Sequence, residues 1–348
     1  NMMVLGMASK RIKAEIAQAE NIDKIIKQYG LLVRKIETET FESKKLQDLK
    51  QQLVSNDAKA SQHLKALSEL FSSMDTVANL VVTTLFNGTF LYHIHVLKSL
   101  LKWKENYSTQ LESWMNVIGE FEMLDSLANL AHNNPGFVFP EINSEYRIGF
   151  ADLGHPLLNP ATRVGNDTHF YPQSFLILTG SNMSGKSTFL RSLGINMVLG
   201  GIGSVVCASA ATIHPLPVLV SMRLSDSLSD SESYFFAEIK RLKQIMDVLE
   251  EKPAFVLLDE ILRGTNSDDK RNGTIEVVKK IIAQKAIGAI ATHDIEVCLT
   301  TNSYPEILSN QCFEVEIRDN ELYFDYKLRN GICQNKSATF LMQKMGVI

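Results

Sequence analysis

The sequence is poor in cysteine. Cys207, Cys298, Cys312 and Cys333 are its four, widely spaced and without a CxxC pair, which argues against a structural zinc site and against a disulfide scaffold and fits a reducing, cytoplasmic compartment. Proline is missing from Ile12 to Leu130, so nothing there interrupts long helices. A charge excess of one sign is also missing. The formal net charge is −4, divided as −1 over residues 1–144 and −3 over the rest, so neither half reads as a basic nucleic-acid module, and contact with DNA must come from a local patch or from chain beyond this sequence. The uncharged run Thr76 to Leu97, long enough to raise the question of a membrane span, carries Asn79, Thr83, Thr84, Asn87, Gly88, Thr89, His93 and His95. That polar content reads as a buried helix or helix pair rather than a membrane span. The first residue is Asn1 rather than methionine, and the chain is expected to be a piece of a longer protein. At 348 residues, with 45% hydrophobic and 21% charged composition, it is long enough for two globular domains.

Two halves differ in pattern. Before about residue 130 apolar residues recur at helical spacing, as in Leu46, Leu49 and Leu53 or Leu111, Met115, Ile118, Phe121, Leu124 and Leu127. The breaker-rich stretch "HNNPGFVFPEI", with Asn133, Asn134, Pro135, Gly136 and Pro140, ends this pattern. The expected division is a helical domain over 1–138 and a second domain over 139–348. In the second, short apolar runs, "SFLILTG" (174–180), "AFVLLDE" (254–260) and "AIGAIATHD" (286–294), alternate with helical stretches from Lys186 and around 272–284. Strands without polar alternation, separated by helices, predict an α/β fold with a mainly parallel sheet covered on both faces.

Gly180-Ser181-Asn182-Met183-Ser184-Gly185-Lys186-Ser187 matches the P-loop pattern G-x-x-x-x-G-K-[ST], and Thr188 follows it. Glycines let the backbone curl so that N–H groups point at phosphate oxygens, and the following helix presents its positive end. Lys186 is expected to reach the β and γ phosphates of ATP, and Ser187 to hold Mg2+. "FVLLDE" puts Asp259 and Glu260 at the carboxyl end of a buried strand, facing the ligand crevice of an open parallel sheet. Asp259 is then a second Mg2+ ligand, and Glu260 the group that orients or deprotonates the attacking water. Against this stands the plain reading of two solvated carboxylates beginning a loop. His293 ends the next strand; a lone histidine is usually structural, but a strand order that sets it beside the P-loop strand lets its imidazole sense the terminal phosphate.

Taken together, "TGSNMSGKST", "SESYFFAEI", "VLLDEILRGT" and "ATHD", in this order and spacing, resemble the C-terminal ATPase of the MutS family of DNA mismatch-repair proteins. "GHPLL" (154–158), the helix "LESWMNVIGEFEMLDSLANLA" and the tail "NGICQNKSATFLMQKMGV" extend the resemblance over roughly residues 111–348, with the earlier helices loosely similar to the family's lever arm. The resemblance implies a P-loop, ABC-type ATPase that works as a homodimer, Ser233 of one chain reaching the γ-phosphate held by the other, with Phe235 and Glu238 in register behind it. It also implies that the segment around Val164, Asn166 and Asp167 contacts adenine, although no aromatic matches the family's base-stacking residue. The sequence departs from the family pattern in three places: Ser184 and Leu262 stand where glycine is usual, and Ser231-Glu232 precede Ser233 where glycine and often a basic residue are expected. Neither the N-terminal wedge nor the lever clamp of mismatch-reading members has room here, so DNA binding is expected of the full-length protein and weak or absent for this chain. Two other readings compete. An ABC-transporter motor needs an LSGGQ-type signature, to which only "LSDSES" comes near. The full set of Lys186, Ser187, Asp259, Glu260 and His293 argues against a nonenzymatic nucleotide scaffold, whereas a slow enzyme, or a MutS-like ATPase with no mismatch role, would look similar.

Overall fold

The structure, a computed structural model, describes residues 22–55, 58–75, 92–222, 234–319, 321–333 and 337–347. The chain forms two compact units, Asn1–Ser126 and Leu127–Ile348. Most of the run from Thr76 to Leu97, and the whole of 223–233 with Ser233, lie outside the described residues. No helix among the described residues is long and apolar enough to cross a membrane.

In the first unit helix α1 covers 22–38 and is followed by α2 (Lys44–Gln51), strands β1 (Val54–Ser55) and β2 (Ala58–Lys59), α3 (Ala60–Asp75) and α4 (Tyr92–Asn133), inside which the division between units falls. The helical spacing read from the sequence is realised: Leu49 and Leu53 are buried with Val33, Leu64, Trp103 and Trp114 in one core. Two buried polar contacts tie its helices together. The Trp103 indole donates to His63 O at 3.1 Å, and the Glu37 carboxylate of α1 accepts the Ser61 N–H at 3.0 Å, giving the α3 N-terminus a side-chain acceptor that its own Ala60 cannot supply. The antiparallel ladder of β1 and β2, Val54 opposite Lys59, is the one departure from an all-helical unit among the described residues, and two-residue strands are too short to leave a period-2 signal.

The second unit runs β3 (Glu141–Ile142), β4 (Ile148–Leu153), β5 (Asn166–Phe170), β6 (Phe175–Gly180), α5 (Lys186–Gly201), β7 (Ala210–Ile213), β8 (Val218–Ser221), α6 (Tyr234–Glu251), β9 (Phe255–Asp259), α7 (Ser267–Ala283), β10 (Ile287–Ala291), α8 (Ile295–Leu299), β11 (Leu308–Phe313), β12 (Glu316–Arg318), β13 (Glu321–Tyr323), β14 (Leu328–Asn330) and α9 (Ser337–Lys344). Six strands form the main sheet in the order β14-β11-β6-β10-β9-β8. All its pairings are parallel except that of β14. Alternate residues of β6 serve opposite faces: Leu176 and Leu178 pack with Phe189, Leu190, Leu193 and Met197 of α5, while Phe175 and Ile177 pack with Leu242 and Ile245 of α6 and Val278 and Ile281 of α7. Burial on both sides is why these strands read as unbroken apolar runs. A second sheet, β3-β7-β4-β5, is antiparallel apart from β3 with β7. It was not evident from the sequence, because its strands carry polar residues such as Asn166, Asp167 and His169.

Strand order decides where a ligand has access. From β6 the chain crosses to the far edge at β8, returns through β9 and β10, then passes to β11 on the other side of β6. The order of connection therefore reverses at β6, and a crevice opens outside its carboxyl end.

Candidate functional site

The turn after β6 is shaped by two glycines with different jobs. A Cβ on Gly180 (φ +150°) would lie 2.6 Å from Ser184 Oγ and 2.7 Å from Phe313 O, so this position has no room for a side chain. Ser184, one of the departures from the family pattern, is buried against that bare Cα. Gly185 adopts φ +109° immediately before α5, a backbone region that costs L-residues but not glycine. Lys186, the first residue of α5, is 5% exposed. Its Nζ donates to Gly180 O at 2.8 Å and Ser181 O at 3.0 Å and lies 3.4 Å from His293 Nε2. Burial lowers its pKa, against the opposing pull of Glu260 and Asp259. The lysine thus folds back on the carbonyls of its own turn, which leaves the N-terminal N–H groups of α5 facing the crevice.

β10 pairs directly with β6, Ala291 opposite Leu178, which carries His293 to the lip of the turn. β9 is one strand further out, with Asp259 opposite Ala291. Glu260 N donates to Ala291 O at 2.9 Å, and both Glu260 (φ 49°) and Leu262 (φ 60°) occupy the left-handed region. Non-glycine residues there cost on the order of 1–2 kcal/mol each. Leu262 fills the place where the family pattern has glycine. Its side chain enters space left by Gly273, where a Cβ would stand 2.6 Å from Leu262 Cδ1.

The Glu260 carboxylate is fully engaged: Oε1 is 2.9 Å from His293 Nε2, and Oε2 is 2.5 Å from Arg263 Nη2. Burial pushes this carboxyl up, but the His293 hydrogen bond and charge, with Arg263 and Lys186, outweigh it and leave the pKa at about 2. A pKa depressed on folding contributes stability above the unfolded value and loses it as pH falls through the folded one. The wild-type chain is therefore expected to lose about 3 kcal/mol from this group between pH ~4.5 and ~2, whereas E260Q lacks that component. Urea unfolding of both chains across this range measures the difference. Parallel pH profiles would contradict the ion-pair assignment.

The turn, α5 and β5 enclose a cavity of about 710 Å3. Asn182, Met183, Ser184, Gly185, Lys186, Ser187, Thr188, Val164, Asn166 and Glu260 line it. Gly180, Ser181, Asp259 and His293 are not in the lining, but Gly180 and Ser181 carry the carbonyls that hold Lys186. Ser233 lies outside the described residues. Asn166 is held by main chain: its Nδ2 donates to Tyr326 O at 3.0 Å and its Oδ1 accepts from Leu328 N at 2.7 Å, so its amide anchors the 326–328 segment. That segment brings in a residue the sequence reading missed. Tyr326 (φ 55°) is half-exposed in the cavity wall, stacks on Phe324 with centroids 6.0 Å apart and comes so near Gly185 that a Cβ there would be 3.3 Å from its Cδ1. Nothing local distinguishes it from a strand tyrosine.

The donor set suits a hard divalent cation. Asp259 Oδ1 is buried without a hydrogen-bond partner among the described residues, as are Ser181 Oγ and Ser184 Oγ. No cluster of three or more His, Cys, Asp or Glu among the described residues forms a self-sufficient metal site. The Asp259 carboxylate and the hydroxyl of Ser187, which lines the cavity, give a set that suits Mg2+, which keeps waters and takes phosphate oxygens for the rest of its octahedron.

Residues 176–346 match the sequence model of the family described as MutS domain V. The chain is 30% identical over 228 residues to MutS protein homolog 4 of Homo sapiens, an alignment covering 62% of this chain and 24% of that protein. It is 29% identical over 233 residues to the DNA mismatch repair protein MutS of Thermotoga neapolitana (66% and 29%). Against the protein of the same description from Methanococcoides burtonii it is 30% identical over 251 residues (70% and 28%). The chain thus spans roughly a quarter of the length of these relatives.

Proposed function

We propose, from the premise that the chain belongs to the MutS family through its domain V, that it binds ATP with Mg2+ and hydrolyses it to ADP and phosphate. The observation that carries this reading is the convergence of Lys186 and Glu260 on one cavity at the reversal point of a parallel sheet, with His293, behind the lining, within reach of both. The P-loop is the turn 180–187, whose N–H groups and helix end favour an anion. Lys186 exchanges its two carbonyl partners for β and γ phosphate oxygens. Ser187 and Asp259 would hold Mg2+, which neutralises charge on the phosphates. Val164 and Tyr326 flank the base, Tyr326 supplying the ring for stacking.

Glu260 takes a proton from the attacking water, and its surroundings say when. With a pKa near 2 it is a poor base. A terminal phosphate that draws His293 and Lys186 toward itself removes two of the groups holding that pKa down, so base strength rises only when the site is filled. The arrangement works on this account as a dimer, with Ser233 reaching the partner's nucleotide. Phe236 and Ile239, exposed on α6 just beyond that segment, are apolar surface of the kind interfaces bury. A role on DNA for a protein that contains this chain fits two of its relatives, which are named DNA mismatch repair proteins. With a net charge of −4, DNA binding by this chain alone is expected to be weak or absent.

Calorimetric titration with ATP tests the reading. One nucleotide per chain is expected with Mg2+ present, and removal of the metal by EDTA is expected to weaken binding by about tenfold or more, the worth of one lost charge contact. Metal-independent or absent binding would contradict it.

A further inference from the structure

Glu238 is a buried acid with no part in the chemistry so far described. It lies in the second turn of α6, 6% exposed, and its Oε1 accepts the Leu262 N–H at 2.8 Å across 24 residues of sequence. Oε2 has no hydrogen-bond partner among the described residues. Leu262 is one of the two left-handed residues that follow β9, and Glu260, two residues earlier, is the other. A second contact reinforces the first: a Cβ on Gly264 would stand 2.7 Å from Phe235 Cβ, so the loop beyond Leu262 presses against the first turn of α6. The segment 260–264 is therefore fastened to α6 at two points, one a hydrogen bond to a charged acceptor and one a close packing contact.

The neighbouring bonds show what this fastening governs. Arg263, between the two anchors, pairs with the Glu260 carboxylate and donates from Nε to Glu260 O at 3.0 Å. A left-handed pair of non-glycine residues persists only where its surroundings over-determine it. Release of the Leu262 N–H would let the backbone relax toward ordinary φ, turning Arg263 and the Glu260 carboxylate out of line with His293.

We infer that Glu238 is a positioning residue: its carboxylate holds the Leu262 backbone left-handed and thereby aims Glu260 into the cavity, making the aim depend on where the start of α6 lies. This rests on the reading of Glu260 as the base.

The test uses the full 348-residue chain in four variants, E238M, E238Q, E260Q and E238M/E260Q. E238M keeps the volume but removes the acceptor, and E238Q retains an acceptor oxygen without the charge. ATP turnover is expected to fall about tenfold or more in E238M, the loss of a charged hydrogen bond expressed in rate, with ATP affinity within threefold of wild type. E238Q is expected to recover turnover to within about threefold. The double variant E238M/E260Q should be no slower than E260Q alone, since a base already removed has nothing left to aim. Wild-type turnover in E238M would overturn the inference. So would equal losses in E238M and E238Q, parallel losses of affinity and turnover, or failure of both to fold, each of which assigns the residue to the core alone. Unchanged turnover in E260Q would instead sink the assignment of the base, a result distinguishable from any of these.

Discussion

Replacement of Glu260 by glutamine lowers ATP turnover by about 10²–10³-fold, within the range that removal of a positioned base costs, while Mg·ATP remains bound. Glutamine keeps the size and one acceptor oxygen, for either His293 or Arg263, which now contact different oxygens of the carboxylate, so the site retains its volume. What it loses is the capacity to take a proton and the negative charge that balances Lys186, Arg263 and His293. The second loss acts on binding in the favourable direction, because a more positive site holds a polyanion more tightly. The expected phenotype is therefore a split, with kcat down and affinity equal or higher, and with dimers accumulating as uncleaved ATP bridges the two chains. Single-turnover phosphate release against a parallel affinity measurement reads this split. Unchanged turnover would remove Glu260 from the role of base.

Replacement of Lys186 by alanine acts on the other side of the same equation. The ammonium is buried and supplies three donors, two of them committed to Gly180 O and Ser181 O. Truncation leaves both carbonyls short of a partner, a cost of about 1–3 kcal/mol for buried groups, and leaves the phosphates without their cation. Loss of one member of a buried, hydrogen-bonded charge pair costs about 2–5 kcal/mol, so nucleotide affinity is expected to fall by roughly 10²–10³-fold or more. Two signatures separate this from general unfolding. Thermal stability without nucleotide falls by only a few degrees, and the added stability that ATP gives the wild-type chain through preferential binding to the folded state disappears. Fluorescence titration with a labelled ATP beside thermal melts, with and without nucleotide, measures both. Wild-type affinity in K186A would mean that the turn at 180–187 is not the phosphate site.

The parts of the site legible in the sequence are those fixed by local rules. A strand, a turn that demands glycine at 180 and 185, and a helix opening with Lys186 form one continuous segment, so spacing alone specifies their relation. Asp259, Glu260 and His293 were readable as strand-end residues because the strands that carry them are buried on both faces and leave unbroken apolar runs. Their mutual distances were not readable. Only the strand order sets β10, and not β9, against β6, which brings His293 within 3.4 Å of Lys186 Nζ and leaves Asp259 one strand away. Asn166 shows the limit in the other direction. Its position beside the cavity followed from the resemblance, but its amide serves the 326–328 backbone, a pairing across 160 residues that no local pattern encodes. Tyr326 escaped notice for the same reason. Two of the departures from the family pattern, Ser184 and Leu262, each meet a glycine, Gly180 and Gly273, that gives up the space it needs, a compensation that no local pattern encodes.

The account stands or falls on whether one Mg·ATP joins these residues. A crystal structure of the chain with a nonhydrolysable ATP analogue and Mg2+ tests this most directly. The expected result has Lys186 Nζ moved from the Gly180 and Ser181 carbonyls to β and γ phosphate oxygens, the metal bound by Ser187 and Asp259, and His293 turned from Glu260 toward the terminal phosphate. A nucleotide bound elsewhere, with Lys186 still folded onto its own turn, would contradict it.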